Sequence, residues 1–287
     1  MTLLQILILA IVQGAAELLP VSSSAHVIVA EKLMGLDPTA PAMTLLLVML
    51  HTGTMFAVIF YFWKSWKENF FSSKEIFIDS VKLIAGATLI TGVVGLTLKY
   101  LIEKLFMKDI PHAEIEQLFG NMNLIATSLA VVGMLILFAG IKNRSISDNE
   151  SKLGLKESCI VGAVQGICLP FRGFSRSGAT ISAGLLLGIC RRKIEAFSFA
   201  LAVVLTPPII VREVMRLLHE QHEVPATTTD LTQIFMPSLL GMVFSFAAGL
   251  LALKWLSNWL ENGRWSFFGI YCLVASGVVF VLHHNGV

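Results

Sequence analysis

Six parts of the chain are almost continuously apolar, each over roughly 20 residues, which as a helix would rise about 30 Å and match the hydrocarbon core of a bilayer. These parts lie near residues 43–62, 79–101, 119–141, 194–211, 233–256 and 265–283. The pattern therefore predicts six membrane-spanning α-helices and an all-α integral membrane protein.

Two further regions, 1–35 and 155–190, are apolar at both ends but interrupted in the middle by proline, glycine, serine and charged residues. Irregular backbone at membrane depth is tolerated only where protein buries it or where it lines a cavity. We therefore expect each region to form a re-entrant helix-loop-helix hairpin, and we expect the two hairpins to face each other.

Basic residues are distributed unequally among the connections, and this indicates orientation because cytoplasmic loops are enriched in Lys and Arg. Three connections are rich in basic residues: Lys64, Lys67 and Lys74; Lys142, Arg144, Lys152 and Lys156; Arg191, Arg192 and Lys193. We assign these to the cytoplasmic side, and the connections near 102–118 and 212–232 to the external side. Since 142–156 and 191–193 then share one side, the segment between them must turn back within the membrane.

The same reasoning makes 1–35 a hairpin that enters from outside. The chain then forms a single membrane domain, 1–287, whose halves, about 1–142 and 155–287, each consist of a hairpin and three spans in opposite orientation. The dipeptide Gln-Gly opens a motif in each half, followed by Leu-Pro and a serine-rich run. Inverted-topology repeats with broken helices are the plan of many transporters, so the architecture alone does not separate a transporter from an enzyme.

The composition agrees with a membrane location, because 55% of the residues are hydrophobic, 14% are charged and the mean hydropathy is +0.77. A water-soluble domain needs more polar surface than this. The net charge is only +2, and the 21 Lys and Arg residues are scattered between the apolar spans. We therefore expect no nucleic-acid partner, since such a protein needs a concentrated basic face.

The first interrupted region places two polar side chains on one helical face, because Gln13 and Glu17 are four positions apart, just before Pro20 ends the helix. A carboxylate inside an apolar helix costs about 2.5 to 3.5 kcal/mol on insertion scales. Glu17 is therefore a candidate functional residue, and the alternative is a structural ion pair with Arg176.

A serine-rich run with a histidine follows: Ser22, Ser23, Ser24 and His26. One of these serines would serve as a helix N-cap. A hydroxyl with an imidazole one helical turn away is the local arrangement of an activated nucleophile. His51, Thr52 and Thr54, which interrupt the start of the first span, are weaker candidates for lining the same cavity.

The second interrupted region carries guanidinium and hydroxyl groups around two glycines: Arg172, Gly173, Ser175, Arg176, Ser177, Gly178 and Thr180. A guanidinium presents a fork of donors that matches phosphate oxygens, hydroxyls add further donors, and a helix N-terminus adds backbone N–H groups. The region is therefore predicted to bind a phosphate-like anion. The alternatives for Arg176 are an ion pair with Glu17 or a side chain that extends to the membrane interface.

These two motifs resemble those of the bacterial undecaprenyl-diphosphate phosphatase family, also called the bacitracin resistance family. That family has (Glu/Gln)xxxE running into PVSSxxH, and PGxSRSxxT. Here the motifs read Gln13-Gly14-Ala15-Ala16-Glu17-Leu18-Leu19-Pro20-Val21-Ser22-Ser23-Ser24-Ala25-His26 and Gly173-Phe174-Ser175-Arg176-Ser177-Gly178-Ala179-Thr180. Two positions depart from the pattern, because Ala25 replaces a glycine and Arg172 stands where the proline is expected.

The resemblance implies hydrolysis of undecaprenyl diphosphate in the bacterial inner membrane, at a site reached from outside and assisted by Mg²⁺ or Ca²⁺. It implies a role in recycling the lipid carrier of peptidoglycan synthesis and in bacitracin resistance. The polyprenyl tail of such a substrate would stay in the membrane. We leave the oligomeric state open, with a homodimer as one expectation.

The residues divide into three groups under this hypothesis. The diphosphate would be bound by Arg176 with Ser22, Ser24, Gly173, Ser175, Ser177 and Thr180. Gln13 and Glu17 would hold the cation, since hard cations take carboxylate and amide oxygens. Ser23 would attack phosphorus while His26 handles its proton, with His26 itself or a metal-bound water as the alternative nucleophile.

Two rival functions differ from this hypothesis. One is a polyprenyl-phosphate flippase or transporter that uses the same anion site without catalysis. The other is a type 2 phosphatidic-acid phosphatase, which requires a histidine six positions after its motif arginine. Position 182, six after Arg176, is Ser, so this second rival fails on spacing.

Overall fold

The computed structural model describes residues 1–17, 19–106, 115–143, 153–223, 231–262 and 265–286. Regular structure within these ranges is entirely helical, with no strand, which confirms the predicted all-α class. The ranges leave out the charged loop residues Lys108, Asp109, Glu114, Arg144 and Lys152, on which part of the predicted orientation depends.

Ten α-helices follow one another along the described chain: α1 (Leu3–Glu17), α2 (Ser23–Leu33), α3 (Pro41–Phe70), α4 (Lys74–Phe106), α5 (Met122–Asn143), α6 (Leu155–Cys168), α7 (Arg176–Leu186), α8 (Arg191–Glu223), α9 (Leu231–Asn262) and α10 (Trp265–His284). A short 3-10 turn at Ile115–Leu118 precedes α5. Helix α8 contains the consecutive prolines Pro207 and Pro208, and α9 contains Pro237.

Six of these helices are long and apolar enough to cross a membrane, over Ala42–Lys64, Lys74–Leu105, Met122–Lys142, Arg191–Arg216, Phe235–Lys254 and Trp265–His284. They correspond one to one with the six predicted spans, so the chain is a multi-pass membrane protein. Large apolar side chains such as Phe60, Leu96 and Val274 are exposed on these helices, as lipid contact requires.

The two interrupted regions each form a pair of short helices, α1 with α2 and α6 with α7. The longest of the four has 15 residues, and α2 and α7 have 11 each. An 11-residue helix rises only about 16 Å, roughly half of the hydrocarbon thickness. The breaks coincide with Pro20 and Pro170, and Gly173 adopts a positive φ of 93° that favours glycine.

Small residues let these short helices approach their neighbours closely, as is common between helices in membranes. A Cβ atom at Gly162 of α6 would collide with the backbone carbonyl of Ala87 on α4. The hydroxyl of Thr91 on α4 also donates to the carbonyl oxygen of Gly162 at 2.8 Å. On the other side of the molecule, Gly14 of α1 packs directly against Ala248 of α9. Both pairs of short helices are thus anchored to a long span.

Helix α7 lies at the centre of the protein, because every residue from Ser177 to Leu185 is buried. Its C-terminal part packs with Phe197 of α8 and with Trp265 and Cys272 of α10. The indole N–H of Trp265 donates to the Ser182 hydroxyl at 2.9 Å. This packing fixes the N-terminus of α7 beside the break between α1 and α2.

Candidate active site

A cavity of about 300 Å³ lies where the two breaks meet. The first turns of α2 and α7 both contribute to its wall, with Ser22, Ser23, Ser24, Ser175, Arg176 and Ser177 among the lining residues. The breaks touch directly, since a Cβ atom at Gly178 would lie 3.0 Å from the carbonyl oxygen of Pro20. The structure therefore brings the two polar motifs together around one space.

A serine is the N-cap residue of both helices, α2 and α7. Ser22, the N-cap of α2, has a φ of 66°, a left-handed conformation that is uncommon outside glycine. Ser175 is the N-cap of α7, and its hydroxyl oxygen accepts the N–H of Gly178 at 3.2 Å. Two helix N-termini, each with a partial positive charge, thus face the same cavity and favour an anion there.

The carboxylate of Glu17 is the most highly connected group of the cavity. Its Oε2 accepts the Ser23 hydroxyl at 2.5 Å and the Gln13 amide N–H at 2.9 Å. Its Oε1 accepts a guanidinium N–H of Arg176 at 3.2 Å. The Glu17 side chain is 14% exposed, so this ion pair lies in a sheltered position at the cavity wall.

Arg176 is oriented by a second acceptor and by the helix it begins. Its other terminal nitrogen donates to the backbone carbonyl of Ser198 on α8 at 3.3 Å. The hydroxyl of Thr180, one turn along α7, bonds to the Arg176 carbonyl at 2.8 Å and to the Ser198 hydroxyl at 2.7 Å. Thr180 is fully buried and does not line the cavity, so it holds the base of α7 against α8.

His51 of α3 contacts the same carboxylate from a long span that belongs to neither motif. Its Nδ1 lies 2.9 Å from Oε2 of Glu17 and 2.8 Å from the amide nitrogen of Gln13. Gln13 also donates to the Thr54 hydroxyl at 3.4 Å. His51 lines the cavity, as expected for a weaker candidate, while the buried Thr52 and Thr54 lie outside the lining.

His26 points away from these groups. Its Nδ1 bonds to the carbonyl oxygen of Ser22 at 2.8 Å, and its Nε2 bonds to the Tyr271 hydroxyl of α10 at 2.8 Å, with the two rings stacked. His26 is not part of the cavity lining. Its bond to Ser22 supports the left-handed residue directly before Ser23.

The rest of the cavity combines two further cations with an apolar wall. Arg172 and Arg212 line it, together with Phe119. Its apolar wall comes from α3 and α8, through Val48, Met55, Val58, Phe199, Ala202, Val203, Leu205 and Ile209. Along α8 the lining extends from Phe199 to Arg212, about 20 Å of helix at 1.5 Å per residue. The lining therefore offers both cationic groups for an anion and apolar side chains for an apolar chain.

Gln13 and Glu17 do not fit a divalent cation held between them. Both oxygens of Glu17 face hydrogen-bond donors, and Gln13 turns its amide N–H toward the carboxylate rather than its carbonyl oxygen. The Oε1 atom of Gln13 is buried with no hydrogen-bond partner among the described residues. Across the described ranges, no cluster of three or more His, Cys, Asp or Glu side chains could hold a metal ion.

Of the predicted site residues, the structure brings Glu17, Ser23 and Arg176 into contact and keeps Ser22, Ser24, Ser175 and Ser177 in the cavity wall. Gln13 supports Glu17 from behind, whereas His26, Gly173 and Thr180 lie outside the lining. Gly173 packs against the Ile125 carbonyl of α5. Sequence reasoning missed Ser198 and Tyr271, because a lone serine or tyrosine in an apolar helix carries no local signal.

Known proteins are similar in sequence to this chain over nearly its full length. The family model for the bacitracin resistance protein BacA matches residues 6–279. The chain is 59% identical over 283 residues to undecaprenyl-diphosphatase 2 of Acinetobacter baylyi, covering 98% of both proteins. It is 32% identical over 289 residues to the undecaprenyl-diphosphatase of Idiomarina loihiensis, covering 98% of this chain and 99% of the relative. It is 30% identical over 283 residues to that of Rhodopirellula baltica, covering 98% of both.

Proposed function

Because the chain belongs to the bacitracin resistance protein BacA family, we propose that it is a membrane phosphatase that hydrolyses undecaprenyl diphosphate to undecaprenyl phosphate and inorganic phosphate. This reaction recycles the lipid carrier of peptidoglycan synthesis. The observation that carries the proposal is the cavity in which the Ser23 hydroxyl contacts Glu17 and the Arg176 guanidinium contacts the same carboxylate.

The charge and the apolar wall of the cavity both suit this substrate. Among the lining residues that the structure describes, two guanidinium groups of the second motif, those of Arg172 and Arg176, accompany one carboxylate, that of Glu17, and Arg212 lies at the far end of the α8 wall. A diphosphate is a compact multiple anion, and arginine forks bind phosphate oxygens in pairs. The apolar wall of α3 and α8 offers a surface for the first part of the polyprenyl tail, whose remainder stays in lipid.

In the mechanism that we propose, Ser23 is the nucleophile and Glu17 accepts its proton. The Ser23 Oγ forms a bond to the terminal phosphorus, while the bond from that phosphorus to the bridging oxygen breaks and undecaprenyl phosphate leaves with the electron pair. Arg176 and the N–H groups at the starts of α2 and α7 bind the phosphoryl oxygens as charge develops on them. Because most catalysis of phosphoryl transfer is positioning and electrostatics, these fixed donors carry much of the rate enhancement.

The second half of the reaction reverses the proton transfer. Glu17 first gives the proton that it accepted from Ser23 to the departing undecaprenyl phosphate. It then takes a proton from water as the water oxygen attacks the phosphoserine, and it returns this proton to Ser23 Oγ as the bond from phosphorus to that oxygen breaks. The Ser23 contact with Glu17 supports this assignment, whereas His26 contacts Ser22 and Tyr271 instead. We therefore propose that His26 positions the serine turn and that Glu17 moves the proton.

Trapping the covalent intermediate tests this assignment. The protein is quenched in acid during turnover of a polyprenyl diphosphate labelled in its terminal phosphate, and the labelled peptide is identified. We expect label on Ser23 and none in Ser23→Ala. Label on His26, or near-normal turnover of Ser23→Ala with no covalent label, would instead favour the histidine or a metal-bound water as the nucleophile.

A divalent cation stays a proposal, but without Gln13 and Glu17 as the pair of ligands that the sequence predicted. We propose that Mg²⁺ or Ca²⁺ binds the diphosphate oxygens in the cavity and enters with the substrate. Titrating each ion against a chelator while measuring turnover tests this idea. Gln13→Ala should keep the same half-saturating concentration of the cation. A strong rise of that concentration in the variant would instead support Gln13 and Glu17 as the cation ligands, as the sequence predicted.

We also propose that the two pairs of short helices are re-entrant hairpins in an inverted-topology repeat. Equivalent contacts support the repeat, because Gly14 of α1 packs on α9 as Gly166 of α6 packs on α4. The charge of the loops supports a cavity that opens toward the outer face of the inner membrane. Labelling of single cysteines with an impermeant reagent in intact cells tests both ideas. Cysteines introduced before α6 and after α7 should stay unlabelled in intact cells, because we expect both positions on the cytoplasmic side.

A phosphate-release assay decides between the enzyme and a flippase with the same anion site. The purified protein in detergent is given a polyprenyl diphosphate, and free phosphate is measured over time. We expect release that stops in Ser23→Ala. Absence of release with wild-type protein, together with lipid transport in vesicles, would make the flippase the correct function. A homodimer stays a prediction, and all of the proposed catalytic groups come from one chain.

A further inference from the structure

We propose that Arg172 is a second phosphate-binding residue of the cavity, and that it binds the phosphate that stays with the lipid while Arg176 binds the phosphate that is removed. The inference rests on the proposed function and assigns the two phosphates of its substrate to different arginines. Arg172 is also the position at which this chain carries an arginine where the family motif has a proline.

The wall of the cavity holds the Arg172 side chain at a defined place. Its guanidinium carbon lies 4.1 Å from the centre of the Phe119 ring, in a cation–π contact, and both residues line the cavity. Phe119 is itself buried and lies three residues before the start of α5. An arginine that packs on an aromatic ring is still a planar, charged fork of donors, the geometry that matches phosphate oxygens.

A buried acidic residue also interacts with Arg172. Glu31 of α2 is 1% exposed, interacts electrostatically with Arg172 and does not line the cavity. Glu31 thus acts on the arginine from within the protein, while Arg172 itself lines the cavity.

The positions of the two arginines suit the two phosphates of one substrate. Arg176 contacts Glu17, which also contacts the Ser23 hydroxyl, so the phosphorus that reacts must lie near Arg176. Arg172 precedes Arg176 by four residues, and their Cα atoms are therefore at most about 14 Å apart. Two arginine side chains that line one cavity from such positions can hold neighbouring phosphates. The phosphate near Arg172 is the leaving group, which gains negative charge as the bridging bond breaks.

Binding of inorganic pyrophosphate and inorganic phosphate to the full-length protein in detergent tests the proposal by calorimetry, without need of turnover. Pyrophosphate can occupy both positions, whereas phosphate occupies only the one beside Ser23. Losing one charge-assisted contact should weaken pyrophosphate binding by about 10- to 100-fold in Arg172→Gln. Phosphate binding should stay within about twofold of wild type, and Arg172→Lys should lie between the two proteins because it keeps the charge without the fork. An equal loss for both anions, or no loss for either, would overturn the proposal.

The double variant Arg172→Gln/Glu31→Gln excludes a purely structural role. If Arg172 served only as the electrostatic partner of Glu31, replacing both residues would restore pyrophosphate binding to the wild-type value. We expect the double variant to bind pyrophosphate as weakly as Arg172→Gln. Turnover of the wild-type protein is measured in parallel, so a failure of the proposed phosphatase activity is visible separately from the outcome for Arg172.

Discussion

Replacing Glu17 by glutamine tests the proposed mechanism directly, because the substitution keeps the shape of the side chain and removes its charge. In the structure, one oxygen of Glu17 accepts the Ser23 hydroxyl at 2.5 Å and the other accepts Arg176 at 3.2 Å. An amide can still accept one of these bonds, but it cannot take up the serine proton. A general base contributes roughly 10²- to 10⁴-fold to a rate, which corresponds to about 2.7 to 5.4 kcal/mol of transition-state stabilisation. We therefore expect kcat of Glu17→Gln to fall by that factor.

The assay is phosphate release from a polyprenyl diphosphate by purified protein in detergent, with thermal unfolding measured in parallel to show that the variant folds. Glu195→Gln is the matched control, because Glu195 forms an ion pair with Arg191 at 2.6 Å and lies outside the cavity lining. It should retain wild-type kcat. If folded Glu17→Gln kept kcat within about tenfold of wild type, Glu17 would not be the proton acceptor and the contact with Ser23 would only orient the hydroxyl.

Three further outcomes follow from the contacts described. The kcat of Ser23→Ala should fall roughly 1,000-fold or more. The kcat of Ser24→Ala should fall only a few-fold, because Ser24 makes no hydrogen bond to Glu17. Similar losses in the two variants would contradict the assignment of Ser23 as the nucleophile. Tyr271→Phe removes one hydrogen bond from His26, worth about 0.5 to 1.5 kcal/mol, and should lower phosphate release by roughly two- to tenfold with the substrate KM unchanged. Gly162→Ala, whose Cβ would collide with α4, should destabilise the protein by about 1 to 3 kcal/mol in thermal unfolding. The matched change Gly277→Ala, which meets no atom within 4 Å, should not destabilise it.

The spans and the two breaks were predictable from the sequence because both depend on local properties. A run of apolar residues long enough to cross a bilayer has few alternatives to a spanning helix. Proline at positions 20 and 170 ends the preceding helix by its covalent structure alone. The helices extend beyond the apolar runs, however, since α4 begins at Lys74 rather than near residue 79. Charged residues at a membrane interface continue a helix without adding to the apolar signal.

The partners within the site were less predictable, because they come from distant parts of the chain. The spacing of Gln13 and Glu17 correctly indicated one helical face, and the two side chains are hydrogen-bonded. The spacing of Ser23 and His26 suggested a similar pair, but the imidazole bonds to Tyr271, 245 positions away. His51 contacts Glu17 only because α3 packs beside α1 in three dimensions. Local periodicity defines which residues share a face, and only tertiary packing decides what that face meets.

The consecutive prolines of α8 have a consequence for how a lipid exchanges with the cavity. Proline has no amide hydrogen, so Pro207 and Pro208 leave the carbonyls of Val203 and Val204 without their usual donors four residues ahead. Val203 lies in the apolar wall of the cavity. The helix is therefore easiest to bend at the point where the polyprenyl tail would pass between α3 and α8. We expect α8 to bend at these prolines, so that the wall opens toward the bilayer and the product departs into lipid. The tightly packed helix pairs α4–α6 and α1–α9 would stay fixed during this motion.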